Sequence, residues 1–226
     1  MKHITKKIFA VMMIAVLATP TLGMAQNATK AAIEIPDNLF VTLTFHDVRD
    51  DVARTGDKDV YAISTKNLAQ YFAWLQQEGW NPIRLEDVWQ VRQKKKSLPP
   101  KSVLLTFDDG ALSSYSHVYP LLKQYNFPAV FAIPTSWING NTKDAYEAYG
   151  KNNLMNWDQM REMQQSGLVE FASHSDSMHK GILANPQKNM QPAAITREYF
   201  PKLQKYESDQ AYQERVVADL KNLKKF

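Results

Sequence analysis

The sequence predicts an α/β fold in which a parallel sheet forms an incomplete, distorted (β/α) barrel. Short runs rich in β-branched and aromatic residues alternate with helical patterns of about 10 to 15 residues, which is typical of βαβ units. Titratable side chains follow directly after three of these runs, where functional groups collect in parallel folds. Four clear strands and a candidate fifth are too few to close a barrel of about 250 residues.

The first 25 residues have the layout of a secretory signal peptide. Three lysines precede an apolar run from Ile8 to Ala18, and the small-residue pattern Gly23-Met24-Ala25 predicts cleavage after Ala25. This run has about half of the roughly 20 residues that a membrane-spanning helix needs, so we expect no transmembrane anchor. The chain contains no cysteine that could carry a lipid. We therefore expect an exported protein of the periplasm or cell surface without a lipid anchor.

The composition is that of an ordinary globular protein. The hydrophobic fraction is 44% of 226 residues, which is enough for a sizeable core. The formal net charge is +4, and removal of residues 1–25 takes away three lysines and no acidic residue, which leaves +1. A nearly neutral chain lacks the basic surface that nucleic acids require, so we expect no nucleic-acid partner.

The first two elements are a strand and a helix that follow a polar lead over 26–38. Residues 39–45 are dense in β-branched and aromatic side chains and predict a buried strand. Leu68, Phe72 and Leu75 then recur at helical spacing. We expect this helix to end at Gly79.

A candidate strand near 82–83 precedes a shorter helix over 86–96, which Pro99-Pro100 closes. The apolar run over 103–107 predicts the second strong strand. Residues 115–125 have a helical pattern and complete the second βα pair.

Two more strands complete the predicted sheet. The apolar run over 129–133 predicts one, and the run over 168–172 predicts the other, with a helical pattern over 156–165 between them. Residues 180–196 are polar and are expected to be irregular. A charged amphipathic helix is predicted over 206–224.

Two adjacent carboxylates end the second strong strand. Asp108-Asp109-Gly110 is by itself an ordinary turn signal. Because two acids beside a buried strand repel each other and lose solvation, a shared cation or proton would stabilise the pair. One carboxylate can then bind a metal while the other acts as a base.

Two histidines follow the last predicted strand. His174 and His179 are five positions apart, about 140° around a helix, so only a loop can bring both to one ion. Two imidazoles and a carboxylate, with positions left for water, form a catalytic site suited to zinc or a similar divalent metal. The alternative is that both are surface loop residues. His46 also follows a strand, whereas His117 lies in a helical stretch and is expected to be structural.

Several aromatic side chains could line a binding site, with core packing as the alternative for each. The candidates are Trp137 and Tyr115 first, then Tyr119 and Trp157.

At these motifs the chain resembles the polysaccharide deacetylases of carbohydrate esterase family 4, which share the NodB-homology domain. Their first motif, T-F-D-D-G, is present as Thr106 to Gly110. Their second, usually H-S/T-x-x-H, is present as His174-Ser175 with His179 and is one residue longer. This longer form, with Phe45-His46-Asp47 and Asn185-Pro186-Gln187, is similar to the exported poly-β-1,6-N-acetyl-glucosamine N-deacetylases of biofilm export systems.

The resemblance implies a barrel of the NodB-homology type and a role for each motif residue. Asp108 would be the general base and His46 the general acid. Asp109, His174 and His179 would hold one divalent metal ion, with zinc first and cobalt, nickel or iron as alternatives. The implied reaction is hydrolysis of N-acetyl groups. The implied partners are an outer-membrane export porin and an N-acetylglucosamine polymer, on whose sugar rings the aromatic candidates, Trp137 and Tyr115 first, would stack.

The resemblance also implies segments that the sequence does not contain. The third family motif, an Arg/Pro/aromatic segment that orients the base, is expected after the helix over 206–224. Related biofilm enzymes also carry a further polymer-binding domain. We therefore expect 39–226 to be a deacetylase domain truncated before the later motifs. Three hypotheses stay open: a deacetylase of poly-N-acetylglucosamine, a metal- or polymer-binding fragment without turnover, and a deacetylase of peptidoglycan, chitin or xylan.

Overall fold

Five parallel strands form the main sheet, and four of them follow the order β1-β3-β4-β5. The computed structural model describes residues 38–52, 59–140 and 143–223. The strands are β1 (Phe40–Phe45), β2 (Asn81–Pro82), β3 (Ser102–Asp108), β4 (Ala129–Ile133) and β5 (Val169–Ser173). The small strand β2 pairs with the first two residues of β3. The predicted α/β class with a parallel sheet is confirmed.

The predicted signal peptide over 1–25 lies outside the described residues, and so does the polar lead as far as residue 37. Within the described ranges, every helix is too short or too polar to cross a membrane.

The register of the sheet is marked by a row of phenylalanines, one on each of the four long strands. Phe45 pairs with Phe107, Phe107 with Phe131, and Phe131 with Phe171. Their rings lie 5.2, 5.0 and 5.9 Å apart between successive centroids. Because the four strands are parallel and in register, the residues that follow this row emerge at one edge of the sheet.

Seven α-helices accompany the strands in the described part of the chain. They are α1 (Thr65–Gln77), α2 (Leu85–Arg92), α3 (Tyr119–Tyr125), α4 (Thr135–Ile138), α5 (Lys143–Tyr149), α6 (Trp157–Gln165) and α7 (Asp209–Asn222). The Ser64 side chain caps α1 by accepting from the Asn67 N–H, and Asn156 caps α6 in the same way. Leu68, Phe72 and Leu75 are buried, as their spacing predicts.

Some predicted boundaries differ from the structure. The helix predicted over 86–96 ends at Arg92, and Lys94 takes a left-handed conformation with φ of 58°. The helix predicted over 115–125 begins with a π-helical turn over Ser114–Val118, which contains His117.

The segment over 180–196, expected to be irregular, contains regular structure. Strands β6 (Gly181–Leu183) and β7 (Met190–Pro192) form an antiparallel pair, and a 3₁₀ turn over Ala193–Ile195 follows. The prediction was wrong because strands of three residues are too short to show an alternating pattern. A second short pair, β8 (Tyr199–Phe200) and β9 (Lys205–Tyr206), leads into α7.

An ion pair with a buried carboxylate anchors α7 to the segment before it. The Arg215 guanidinium donates to Glu207 Oε1 at 3.0 Å and to Oε2 at 2.8 Å. It also donates to the backbone carbonyls of Ala193 and Thr196, both at 2.9 Å. Glu207 is only 7% exposed, and the hydrogen bond from Arg215 holds the pKa of its carboxyl below the ordinary value of 4.5.

Glu207→Gln is expected to make the free energy of unfolding less dependent on pH in the acid range. Because the folded-state pKa is lowered, the contribution of Glu207 is fully present above pH 4.5 and is lost as pH falls through the lower folded value. At neutral pH the variant should lose about 1 to 3 kcal/mol in the free energy of unfolding. Urea unfolding at a series of pH values measures this difference. A gap between wild type and variant that stays constant to strongly acid pH would contradict the prediction.

Candidate metal centre

The sheet register brings the sequence-predicted motif residues to one place. His46 directly follows β1, Asp108 is the last residue of β3, and Phe45 and Phe107 pair directly before them. Ser173, the last residue of β5, pairs with Ile133 of β4. His174 is therefore the first residue after the sheet on the far side of β4 from Asp108. All three predicted strand ends meet at the same edge.

Asp109, His174 and His179 form a compact group that could hold a metal ion. One ligand atom from each lies within 4.8 Å of the other two. Asp109 Oδ1 is 3.6 Å from His174 Nε2 and 3.2 Å from His179 Nε2. The two imidazole centroids are 4.5 Å apart. The loop after β5 thus brings together two side chains that a helix would separate.

The local backbone turns Asp109 into the site. Asp109 has φ of 72° and donates its N–H to Ala132 O at 2.9 Å. Gly110 follows with φ of 77°, and a Cβ at that position would lie 3.1 Å from Ile133 Cδ1. Glycine is required there because a side chain would be strained and crowded. The turn signal and the metal-ligand motif are therefore the same residues.

The two carboxylate oxygens of Asp109 have different surroundings. Oδ2 accepts a hydrogen bond from the Tyr149 hydroxyl at 2.6 Å. Oδ1 is buried and accepts no hydrogen bond from any described residue. Asp109 as a whole is 5% exposed. A buried carboxylate oxygen that faces two imidazole nitrogens and lacks a donor fits a bound cation, since the ion would supply the missing partner.

Asp108 stands beside this group without belonging to it. Its Oδ2 lies 3.9 Å from His174 Nε2 and 4.0 Å from His46 Nε2. Burial raises the pKa of the Asp108 carboxyl, an effect that the neighbouring histidines oppose. Burial also lowers the pKa of His174, against the charge of Asp108. A neutral imidazole has the lone pair that a metal ligand needs, and a carboxylate with a raised pKa is a stronger base.

A cavity of about 510 Å³ opens beside the group, and its walls are largely aromatic. Its lining includes His46, Tyr61, Asp109, Trp137, Tyr149 and His179. Trp137 packs edge-on against His179, with 4.9 Å between ring centroids. Its contact with sugar stays a prediction, and only 5% of the residue is exposed.

The other aromatic candidates lie elsewhere. The Tyr115 hydroxyl donates to Glu162 at 2.6 Å, and the Tyr115 ring stacks on Tyr119 at 6.0 Å. The Trp157 indole N–H donates to Asn139 at 3.0 Å. None of these three aromatic residues lines the cavity beside Asp109. The geometry therefore favours the packing alternative for Tyr115.

Sequence reasoning missed Tyr149 and Tyr61 at this site. Tyr149 is the last residue of α5, a short helix that no apolar spacing predicts, and it reaches Asp109 across 40 positions. Burial, and then the adjacent Asp109 carboxylate, raise the pKa of the Tyr149 hydroxyl, so it remains a hydrogen-bond donor. Tyr61 packs on His46 with 5.2 Å between centroids. No motif marks either residue in the sequence.

The chain matches the family of polysaccharide deacetylases over residues 95–221, which is more than half of its length. A poly-β-1,6-N-acetyl-D-glucosamine N-deacetylase from Escherichia coli K12 is 36% identical over 188 residues. That alignment covers 81% of this chain and 28% of the relative. A protein of the same name from Staphylococcus epidermidis is 27% identical over 76% of this chain and 61% of its own length. The chain thus spans less than a third of the Escherichia coli relative.

Two solved structures resemble the fold. A de-N-acetylase from Aggregatibacter actinomycetemcomitans has a TM-score of 0.72 and 37% identity, over 81% of this chain and 71% of that one. The BpsB deacetylase domain from Bordetella bronchiseptica has a TM-score of 0.67 and 42% identity, over 81% and 72%. These matches support the predicted (β/α) barrel architecture.

Proposed function

Because the chain belongs to the polysaccharide deacetylase family, we propose that it hydrolyses N-acetyl groups of poly-β-1,6-N-acetyl-D-glucosamine and releases acetate. The observation that carries the proposal is the arrangement of Asp108 beside the group of Asp109, His174 and His179. A base next to a metal-ligand set is what amide hydrolysis by an activated water requires. The polymer is chosen because the Escherichia coli and Staphylococcus epidermidis relatives carry it in their names.

The ligand set belongs to one divalent metal ion, with zinc first because imidazole and carboxylate suit it. Cobalt, nickel and iron are accepted by the same donors. When bound, such an ion acidifies a water molecule and polarises the acetyl carbonyl. Asp109, His174 and His179 would hold it through Oδ1 and the two Nε2 atoms, which lie closest together.

The proton transfers fall to two neighbouring residues beside that group, Asp108 and His46. Asp108, whose Oδ2 lies 3.9 Å from His174 Nε2 at the margin of the ligand group, accepts the proton of the attacking water. His46 Nε2 lies 4.0 Å from Asp108 and donates a proton to the nitrogen of the leaving amine. Carbon–nitrogen cleavage then yields acetate and a free amine on the sugar. The exposed ring of Tyr61 in the cavity wall is placed to pack against the sugar ring, whereas Trp137, which is 5% exposed, lines the same cavity mainly through its contact with His179.

The remaining features of the proposal concern location and partners. The signal-peptide pattern of residues 1–25 supports export to the periplasm or cell surface. A polymer that is modified during export would bring the protein close to an outer-membrane export porin. Both statements rest on the sequence and on the family.

Acetate release tests the proposal directly. The purified chain, loaded with zinc or cobalt, is incubated with poly-β-1,6-N-acetyl-D-glucosamine oligomers, and acetate is measured. Release should stop with a chelator and return when the metal is restored. A panel of peptidoglycan, chitin and acetylated xylan, tested at equal concentration, identifies the preferred polymer.

Two outcomes would contradict the proposal. Oligomer binding by the metal-loaded chain without acetate release would favour a non-catalytic module. Faster release from another polymer than from poly-β-1,6-N-acetyl-D-glucosamine would keep the chemistry and change the substrate.

A further inference from the structure

The loop between the two histidines is held by contacts from outside the site. Its backbone N–H groups all have acceptors. The His174 N–H donates to Ile133 O at 3.0 Å, and the Ser175 N–H donates to Ser173 Oγ at 3.0 Å. The Met178 N–H donates to Ser175 Oγ at 3.2 Å. The two N–H groups in the middle of the loop remain, and a single side chain accepts from both.

That side chain is Asp219 of α7. Its Oδ2 accepts from the Asp176 N–H at 2.9 Å, and its Oδ1 accepts from the Ser177 N–H at 2.7 Å. The Ser177 hydroxyl lies 3.3 Å from the same Oδ1. Asp219 is 4% exposed although its helix is otherwise charged and largely solvent-facing. A buried carboxylate that accepts from two successive N–H groups fixes the orientation of the peptide between them.

The opposite side of the loop is held by the start of α4. The Thr135 N–H donates to Ser175 O at 3.2 Å, and the Ser136 N–H donates to Asp176 O at 3.1 Å. The Ser136 hydroxyl also donates to Asp176 O, at 2.6 Å. The loop therefore lies between two helices. Carbonyl groups are fixed from the α4 side and N–H groups from the α7 side.

These contacts from α4 and α7 matter because the residues at the two ends of the loop, His174 and His179, are metal-ligand candidates. Asp176 and Ser177 lie two and three positions after His174, and three and two before His179. Rotation of the peptide between them would change the separation of the two Nε2 atoms that face Asp109 Oδ1. Ser175 already takes a left-handed φ of 74°, a conformation that serine rarely adopts without restraint.

We propose that Asp219 is a positioning residue for the metal centre, which sets the geometry of His174 and His179 by fixing the loop between them. This inference rests on the proposed metal site and deepens it. It makes α7, whose Asp219 lies 40 positions after His179, part of the apparatus that holds the ion. The competing role is a structural one, in which Asp219 merely attaches α7 to the barrel.

Cobalt binding separates the two roles, because it does not depend on turnover. The full chain and its Asp219→Asn variant are titrated with Co²⁺, and affinity and the visible absorption spectrum are recorded. In the variant, the amide NH₂ of the asparagine replaces one of the two oxygens that accept from the Asp176 and Ser177 N–H groups, so one of these N–H groups loses its acceptor. We expect affinity to fall about 10- to 100-fold, as it does when an outer partner of a metal ligand is removed. The spectrum should change as well, since the ligand geometry changes.

Glu207→Gln is the matched control. It makes the same carboxylate-to-amide change in a residue that is also buried, and it weakens the attachment of α7 at Arg215. It should lower stability while leaving the cobalt spectrum unchanged and the affinity within about twofold of wild type. If both variants weaken cobalt binding equally, Asp219 is structural and the inference is overturned.

Asp219→Glu keeps the test decisive if the asparagine variant does not fold. It retains a carboxylate but moves both oxygens by one methylene, so affinity should fall to a smaller extent with an altered spectrum. If a folded Asp219 variant binds cobalt with wild-type affinity and spectrum, this inference is overturned and the proposed metal site is not affected. Absence of cobalt binding by the wild-type chain would instead overturn the proposed metal site, and the inference with it.

Discussion

Asp108→Asn is expected to lower kcat for acetate release by about 10²- to 10⁴-fold, the range for loss of a general base. Asparagine keeps the shape of the side chain but cannot accept the proton of the attacking water. Metal affinity should change little because Asp108 is not part of the compact ligand group. The measurement pairs steady-state acetate release with a Co²⁺ titration of the same protein.

The two measurements together distinguish a general base from a metal ligand. Asp108 Oδ2 is 3.9 Å from His174 Nε2, so a ligand role would make cobalt affinity fall together with kcat. Asp158→Asn is the control, since the Asp158 side chain is 88% exposed on α6 and pairs with Arg161 of the same helix. Its kcat should match wild type. Activity of Asp108→Asn within a fewfold of wild type would remove Asp108 from the proposed mechanism.

His46 and Asp108 also show which part of the site a sequence can predict. Each directly follows an apolar strand, and parallel strands in register deliver their next residues to one edge. The convergence of His46, Asp108 and His174 therefore needs only the strand pattern and the handedness of βαβ units. Gly110 is predictable in the same way, because a tight turn after a buried strand requires a positive φ.

Tyr149 and Asp219 could not be predicted, for a common physical reason. Each acts through one hydrogen-bonding group on a helix whose pattern does not mark that residue as buried. Tyr149 reaches Asp109 across 40 positions, and Asp219 reaches Asp176 across 43. In the sequence, Asp219 is one acid among many charges of an amphipathic helix, so it is interpreted as solvent-facing. Only the packing of α7 against the loop shows that it is buried.

The short strands β6 and β7 were missed for a different reason. Three residues do not establish a period of two, and Lys180, Gln187 and Lys188 give their neighbourhood a polar composition. The pairing of β6 with β7 is set by tertiary contacts, with Ile182 buried against Met178 and Ala193. Local sequence does not contain that information.

Asp109→Asn is expected to stabilise the metal-free protein and to weaken metal binding. In the wild type, Oδ1 is buried without a hydrogen bond from the described residues, which costs about 1 to 3 kcal/mol when no ion is present. Asparagine removes the negative charge, can still accept from the Tyr149 hydroxyl, and points an N–H donor at the imidazole nitrogens. The metal-free variant should therefore unfold at a higher temperature than the metal-free wild type.

With metal bound, the wild type should instead unfold at a higher temperature than the Asp109→Asn variant. A ligand at 100 times its Kd stabilises the folded state by about 2.7 kcal/mol, so zinc or cobalt should raise the Tm of the wild type. The variant lacks the carboxylate ligand, and we expect its metal affinity to fall by more than about 100-fold, which exceeds the loss of an outer partner. It should then show no Tm shift at the same metal concentration. Thermal unfolding with and without metal measures all four states, and an equal metal-induced shift in both proteins would show that Asp109 is not a ligand. Both effects come from Asp109 Oδ1, because the oxygen that destabilises the empty site is the one to which the ion would bind.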